Sequence, residues 1–386
     1  MHNWLLPEYI EDILPAEAQR IESLRRRILD LMRCHGYELV IPPMIEYLES
    51  LLSGSGRDMD LKTFKLVDQL SGRLMGLRAD ITPQAARIDA HLLNRKGVTR
   101  LCYSGPVVHT LPSGVGGTRE LLQIGAEIYG HGGLESDVEI QRLMLQSMAE
   151  AGIDRVKLDL GHMGVFRALA AMADFGADAE PELFRALQAK DVSALEALTA
   201  GLGGGVRAGL LALPELYGGK GSLAEARRRL PRDDRISRAL DDLERLAEAL
   251  SPLVSDVSLD LSEVRGYHYH SGVVFAVYAP GSARALAIGG RYDEVGKAFG
   301  RARPATGFSA DLRVLAQLAG PAQDLSAVRA PPGDDPALAE KIRVLRAAGE
   351  VVVVELPGHE DARSETGCDR ELVLRGGEWE VVSRRP

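Results

Sequence analysis

An α+β fold, with a mainly antiparallel sheet flanked by helices, is the class this 386-residue sequence predicts. Three observations point to it. Strand-like segments in the first half are separated by hairpin turns rather than by the regular helical crossovers a parallel sheet needs. Two of them, about 100–109 and 119–129, are long and joined by the flexible Pro112-Ser113-Gly114-Val115-Gly116-Gly117, the pattern of an extended hairpin. No Gly-x-Gly-x-x-Gly separates a strand from a helix, and Gly219-Lys220 lacks the Ser or Thr and the upstream glycine of a phosphate loop.

Taken in order, Ile21, Leu24, Ile28 and Leu31 recur at helical spacing, and Gly36 marks the end of that helix. Tyr37 to Ile41 predicts a strand, stopped by Pro42-Pro43 because proline donates nothing to a ladder. Phe64 to Val67 and Leu74 to Leu77, around Ser71-Gly72, read as a hairpin. Thr82 before Pro83 suits the cap and first position of a helix over Gln84 to Leu93. After the long hairpin, Glu135 to Ala151 predicts a helix ended by Gly152, and Val156 to Leu160 a strand.

From about 172 to 250 the chain turns Ala-, Leu- and Arg-rich with helical period and no strand, which predicts a helical insertion. Strands return at Val257 to Leu261, Val273 to Val277 and Arg284 to Ile288. This core, 1–318, is followed by a Gly- and Pro-rich linker, 319–336. A small α/β module over 337–386 closes the chain, with a helix at Leu338 to Ala348 and strands at Val351 to Leu356 and Glu371 to Leu374.

Composition narrows the function. Hydrophobic residues make up 45% and charged residues 26%, which excludes a disordered or fibrous chain. A net charge of −9 argues against a surface that attracts nucleic acid throughout, and Arg25-Arg26-Arg27 and Arg227-Arg228-Arg229 read as solvated helix faces. Cys34, Cys102 and Cys368 are scattered and form neither a disulfide framework nor a zinc pattern. With no leader-like start and no run of 18 apolar residues, the expected location is cytoplasmic, away from membranes.

Several ordered blocks between about residues 5 and 318 resemble the histidyl-tRNA synthetase catalytic domain, a class II aminoacyl-tRNA synthetase-like core. They are Asp12-Ile13-Leu14-Pro15, Gly36-Tyr37 through Pro42-Pro43, Leu77-Arg78-Ala79-Asp80-Ile81-Thr82-Pro83, and Arg119-Glu120 with Gln123 and Glu127. Arg265-Gly266 to Gly272 is similar to that family's histidine signature, and Gly289-Gly290-Arg291-Tyr292-Asp293 to the approach to its motif 3.

The departures from the family pattern matter more. Where the synthetase has Phe-Arg-x-Glu, this chain has Val108-His109-Thr110-Leu111, without the arginine that contacts the ATP α-phosphate. Where the synthetase has Gly-Leu-Glu-Arg, it has Asp311-Leu312-Arg313-Val314, with Arg313 one place out of register. On a helix that is a rotation of about 100°. By analogy with arginine fingers, losing one such group costs on the order of 10³ to 10⁵ in rate, so adenylation is not expected. The tail is also about half an anticodon-binding domain, which weakens tRNA recognition.

A synthetase-like core with these losses resembles the regulatory subunits of ATP phosphoribosyltransferase. The resemblance implies a non-catalytic protein without a cofactor. It implies a short-form ATP phosphoribosyltransferase catalytic subunit as partner, histidine as effector, and a homodimer, formed through about Leu24 to Leu48, within a hetero-oligomer. A divergent histidyl-tRNA synthetase and a stand-alone histidine sensor are the alternatives.

The resemblance also assigns a histidine site: Asp80 and Thr82 toward the ammonium, Gln123 nearby, Glu127 toward the imidazole, Arg265 toward the carboxylate, and Tyr292 lining the pocket. His270 stands where the signature has a tyrosine. An internal ion pair is the competing reading of Glu127 and Arg265, and core hydrogen bonding that of Gln123 and Thr82. His268 and His270 share one strand face, but no third metal ligand is apparent and no metal is expected.

Overall fold

The first helix (Pro15–Cys34) buries Ile21, Leu24, Ile28 and Met32, with Leu31 partly buried against the same core, and ends before Gly36 in the left-handed region at φ +82°. The coordinates are a computed structural model that describes residues 5–54, 57–112, 117–173, 180–264, 266, 269–320, 326–358 and 367–383. Chain contacts divide the protein into two units, 1–320 and 321–386.

In the larger unit the strands are β1 (Glu38–Leu39), β2 (Ile45–Tyr47), β3 (Lys65–Val67), β4 (Leu74–Leu77), β5 (Thr99–Val108) and β6 (Glu120–Tyr129). They continue with β7 (Lys157–His162), β8 (Tyr217–Gly218), β9 (Asp256–Asp260), β10 (Val273–Tyr278), β11 (Ala287–Arg291) and β12 (Ala305–Asp311). Nine form one sheet in the order β1-β5-β6-β12-β11-β10-β7-β9-β8, antiparallel except for β1 with β5 and β7 with β9. Strands β2, β4 and β3 make a separate three-stranded sheet.

Alternation along β6 sets the two faces of the large sheet. Ile124, Ala126 and Ile128 enter the main core with Leu24 and Ile28 of the first helix and Met144 of the helix Leu134–Glu150. Gln123, Glu127 and Tyr129 point to the other face. Helices Met163–Ala173 and Asp234–Leu250 extend the same core, the latter burying Leu240, Leu243, Leu246 and Leu250.

The structure corrects several expectations. Thr82 begins the helix Thr82–Arg87 rather than capping it; the Asp80 carboxylate instead accepts from the Thr82 N–H at 3.0 Å. That helix widens into a π-helical turn over Ile88–Leu93. Among the described residues the insertion carries one short strand, β8, which pairs with β9, and a helix over Met163–Ala173 leads into it. Strand β11 runs over Ala287–Arg291 rather than Arg284 to Ile288, and it continues through glycines at 289 and 290, where the neighbouring strands leave no room for a Cβ. The hairpin tip 113–116 lies outside the described residues.

In the smaller unit β13 (Ala327–Ala330) lies inside the stretch expected to be linker. It forms the centre of a sheet β14-β13-β15-β16 with β14 (Val351–Val354), β15 (Arg370–Arg375) and β16 (Glu378–Ser383). Val328 and Ala330 are fully buried against Leu338 and Ile342 of the helix Pro336–Ala347, which is why this short run is ordered despite its Gly- and Pro-rich flanks. Asp335 caps that helix through the Ala337 N–H and also accepts from the Trp379 indole at 2.7 Å.

A candidate amino-acid site beside a closed phosphate corner

Glu127 is the centre of the site. It stands on β6 opposite Gly307 of β12, where a side chain at 307 would collide with the carboxylate. Only 1% of the residue is exposed. Its Oε1 accepts from the Tyr103 hydroxyl at 2.9 Å and its Oε2 from the Tyr292 hydroxyl. Burial pushes the carboxyl up to about 8, the two tyrosine bonds only partly opposing the loss of hydration. Among the described residues no cation pairs with it; Arg265, its partner in the competing ion-pair reading, lies outside them.

Tyr103 reaches Glu127 from β5 because its cross-strand neighbour is Gly125, which leaves room for the phenol. The same hydroxyl lies 2.9 Å from Thr82 Oγ1, so threonine, tyrosine and glutamate form one hydrogen-bonded chain. Behind it, Gln123 donates to Asp80 Oδ1 at 2.8 Å and accepts from the Ile81 N–H at 2.9 Å. Asp80 Oδ1 is thus committed to Gln123 and Thr82, leaving Oδ2 for a ligand.

A cavity of about 440 Å³ opens on this face, lined by Asp80, Thr82, Glu127, His270 and Tyr292 among others. Five of the seven expected site residues therefore share one space. Gln123 is not among the cavity's lining residues; it stands behind Asp80, to which it donates. Arg265, and His268 of the suggested metal pair, lie outside the described residues. Tyr269 and Tyr292 pack at 4.8 Å between ring centres, with His270 beside them. Burial pushes the His270 imidazole down to about 4, so it is neutral, and its Nδ1 is buried without a hydrogen bond among the described residues.

The sequence reading did not find Tyr103, Tyr269, Lys62, Phe184 or Gln188, the last two supplied by the insertion helix Glu180–Gln188. Glycines inside predicted strands, Gly125 above all, were the available signal, since they mark close approach of another group. Four carboxyl groups line the cavity, from Asp80, Glu127, Asp159 and Glu263, against one described Lys or Arg, Lys62. Such a wall suits ammonium and imidazole N–H donors and opposes a triphosphate.

The positions where the synthetase pattern has its phosphate arginines are occupied differently. His109 donates from Nε2 to the Ala79 carbonyl at 2.9 Å, and burial depresses its basicity. Thr110 fastens the helix Arg57–Lys62, its N–H to the Lys62 carbonyl at 2.9 Å and its hydroxyl to the Leu61 carbonyl at 2.6 Å. Arg313 is 5% exposed and pairs with Glu11 at 2.6 Å. None of the three lines the cavity.

The chain is similar to known proteins over almost all of its length. Residues 9–315 match the histidyl-tRNA synthetase family model, and residues 325–382 match that of the ATP phosphoribosyltransferase subunit HisZ C-terminal domain. An ATP phosphoribosyltransferase regulatory subunit of Ralstonia nicotianae is 60% identical, over 100% of this chain and 99% of its own. One from Nitrosospira multiformis is 58% identical over 99% and 98%. A crystal structure from Bacillus halodurans, described as an ATP phosphoribosyltransferase regulatory subunit/histidyl-tRNA synthetase, superposes with a TM-score of 0.83 at 28% identity, covering 95% of this chain and 96% of that one. The histidyl-tRNA synthetase of Nostoc sp. PCC 7120, at 18% identity and a TM-score of 0.78, shares the fold. This chain belongs to the ATP phosphoribosyltransferase regulatory subunit family, a non-catalytic branch of the histidyl-tRNA synthetase fold that serves histidine biosynthesis.

Proposed function

We propose that this chain assembles with a short-form ATP phosphoribosyltransferase catalytic subunit, activates it, and senses histidine through the Glu127 cavity. The observation that carries the reading is a division of labour within one fold. Asp80, Thr82, Tyr103, Glu127 and Tyr292 form a connected set of polar groups of the size and sign of an amino acid, while His109, Thr110 and Arg313 are spent on internal bonds. Feedback then requires that histidine bind one arrangement of the complex better than another, since only differential affinity shifts an equilibrium.

Self-association is part of the proposal. Leu39, Ile41, Ile45 and Tyr47 are exposed on β1, β2 and the segment between them, inside the region the resemblance assigns to a dimer interface. A role without tRNA is supported by the ion pairs that occupy the arginine triplet: Arg227 with Asp241 and Glu244, Arg228 with Glu225, and Arg229 with Glu215.

Co-expression with the catalytic subunit tests the reading. Phosphoribosyl-ATP formation is expected only when both chains are present, and the purified chain alone is expected to show no histidine-dependent pyrophosphate exchange. Exchange activity, or catalysis indifferent to this chain, would refute it.

A further inference from the structure

A free amino acid brings three demands to the cavity. Its ammonium is met by Asp80 and Thr82 and its imidazole by Glu127 and the surrounding hydroxyls, but its carboxylate needs a cation among walls that are otherwise acidic. Lys62 is the one Lys or Arg lining the cavity among the described residues. It has no hydrogen bond or ion pair from its side chain among those residues, whereas Lys65 nearby is engaged with Asp60 at 2.8 Å. Lys62 and Asp80 both line the cavity, a cation and an anion in one space that match the reversed pair of an amino-acid zwitterion.

The backbone under Lys62 is fixed. Thr110 holds both Leu61 and Lys62 by their carbonyls, and the buried Thr63 hydroxyl donates back to the Met59 carbonyl at 2.7 Å. Thr110 lies beside His109, in the segment that carries the α-phosphate arginine in the synthetase pattern. Here that segment anchors the roof of the amino-acid site.

We propose that Lys62 binds the carboxylate of the cavity's amino-acid ligand and that Thr110 positions it; this rests on the reading of the cavity as a histidine site. Lys62 thereby sets a preference for free amino acids over their decarboxylated amines, and Thr110 sets how rigidly that preference is held.

Calorimetric titration of the full chain with histidine and with histamine, which keeps the ammonium and imidazole but has no carboxylate, tests this. The wild-type chain is expected to favour histidine by about tenfold or more, the scale of one charge-assisted hydrogen bond. Lys62→Met should bring the two affinities to within about threefold by weakening histidine alone. Lys62→Arg should retain the preference, and Thr110→Val should lower it by an intermediate amount. Thermal melting of each variant separates unfolding from lost recognition.

A Lys62→Met chain that keeps the wild-type preference would overturn the proposal, as would a preference that disappears only in Arg265→Met. A wild-type chain that binds both ligands equally also overturns it while leaving the histidine reading standing. A wild-type chain that binds neither removes the histidine reading and this inference with it.

Discussion

The amino-acid end of the cavity and the corner where a synthetase would hold phosphate are neighbours on one sheet, yet they have been put to opposite uses. At the first, Glu127 has no compensating cation among the described residues and is held by two tyrosine hydroxyls, with burial pushing its carboxyl up to about 8. Such a buried carboxyl costs stability, and it persists where a ligand repays that cost. At the second, every polar group described is already satisfied: His109 by Ala79, Thr110 by Leu61 and Lys62, Arg313 by Glu11. One half of the synthetase pattern is spent here on internal fastenings, while the half proposed to take a ligand faces an open cavity.

Substitutions that break the contrast should differ in size. The largest effect is expected from Glu127→Leu, which leaves two buried tyrosine hydroxyls and the ligand imidazole without an acceptor. Histidine affinity should fall about a hundredfold by titration, the upper range for leaving buried polar groups without a hydrogen-bond partner. Gly307→Ala attacks the same group through space, since its methyl would land on the carboxylate. It should lower stability by about 1–3 kcal/mol in denaturant unfolding and weaken histidine binding as well.

A smaller effect is expected in the pH dependence of stability. Because the Glu127 carboxyl titrates near 8 in the folded chain and near its ordinary value, about 4.5, when unfolded, the folded state holds the extra proton between those limits. Its contribution is fully present below about 4.5 and is lost as pH rises through about 8. Melting temperatures of the wild-type chain should fall over this interval relative to those of Glu127→Gln, which has no proton to lose.

At the phosphate corner, Glu11→Gln should cost about 1 kcal/mol of stability and leave histidine binding unchanged, because it loosens a fastening and not the ligand site. His109→Arg restores one arginine of the pattern but not the second, and should still give no pyrophosphate exchange.

The sequence was most informative where chemistry is written in residue type and order. Glu127, Asp80, Thr82 and Tyr292 fall in blocks whose spacing places them on elements of one sheet face, and all four line the cavity. It was least informative where position depends on partners across the sheet. Gln123 looked like a ligand residue because its type and spacing fit, and only the register of β6 against Asp80 turns it behind the site. Tyr103 is unremarkable in its own strand and acquires its role from the space above Gly125. Strand β13, only Ala327 to Ala330, is too short to carry a period and gains its order from burial of Val328 and Ala330. Strand β12 lacks a clear alternation for a similar reason: Gly307 leaves its space on the cavity face to the Glu127 carboxylate of the neighbouring strand.

The central claim is that the Glu127 cavity gives the complex its response to histidine. The direct measurement is histidine inhibition of phosphoribosyl-ATP formation by the catalytic subunit assembled with either the wild-type or the Glu127→Leu chain. The account predicts that both chains activate the enzyme and that only the wild-type complex is inhibited at histidine concentrations that saturate its cavity. Equal inhibition of the two complexes would contradict it and would locate histidine sensing outside this cavity.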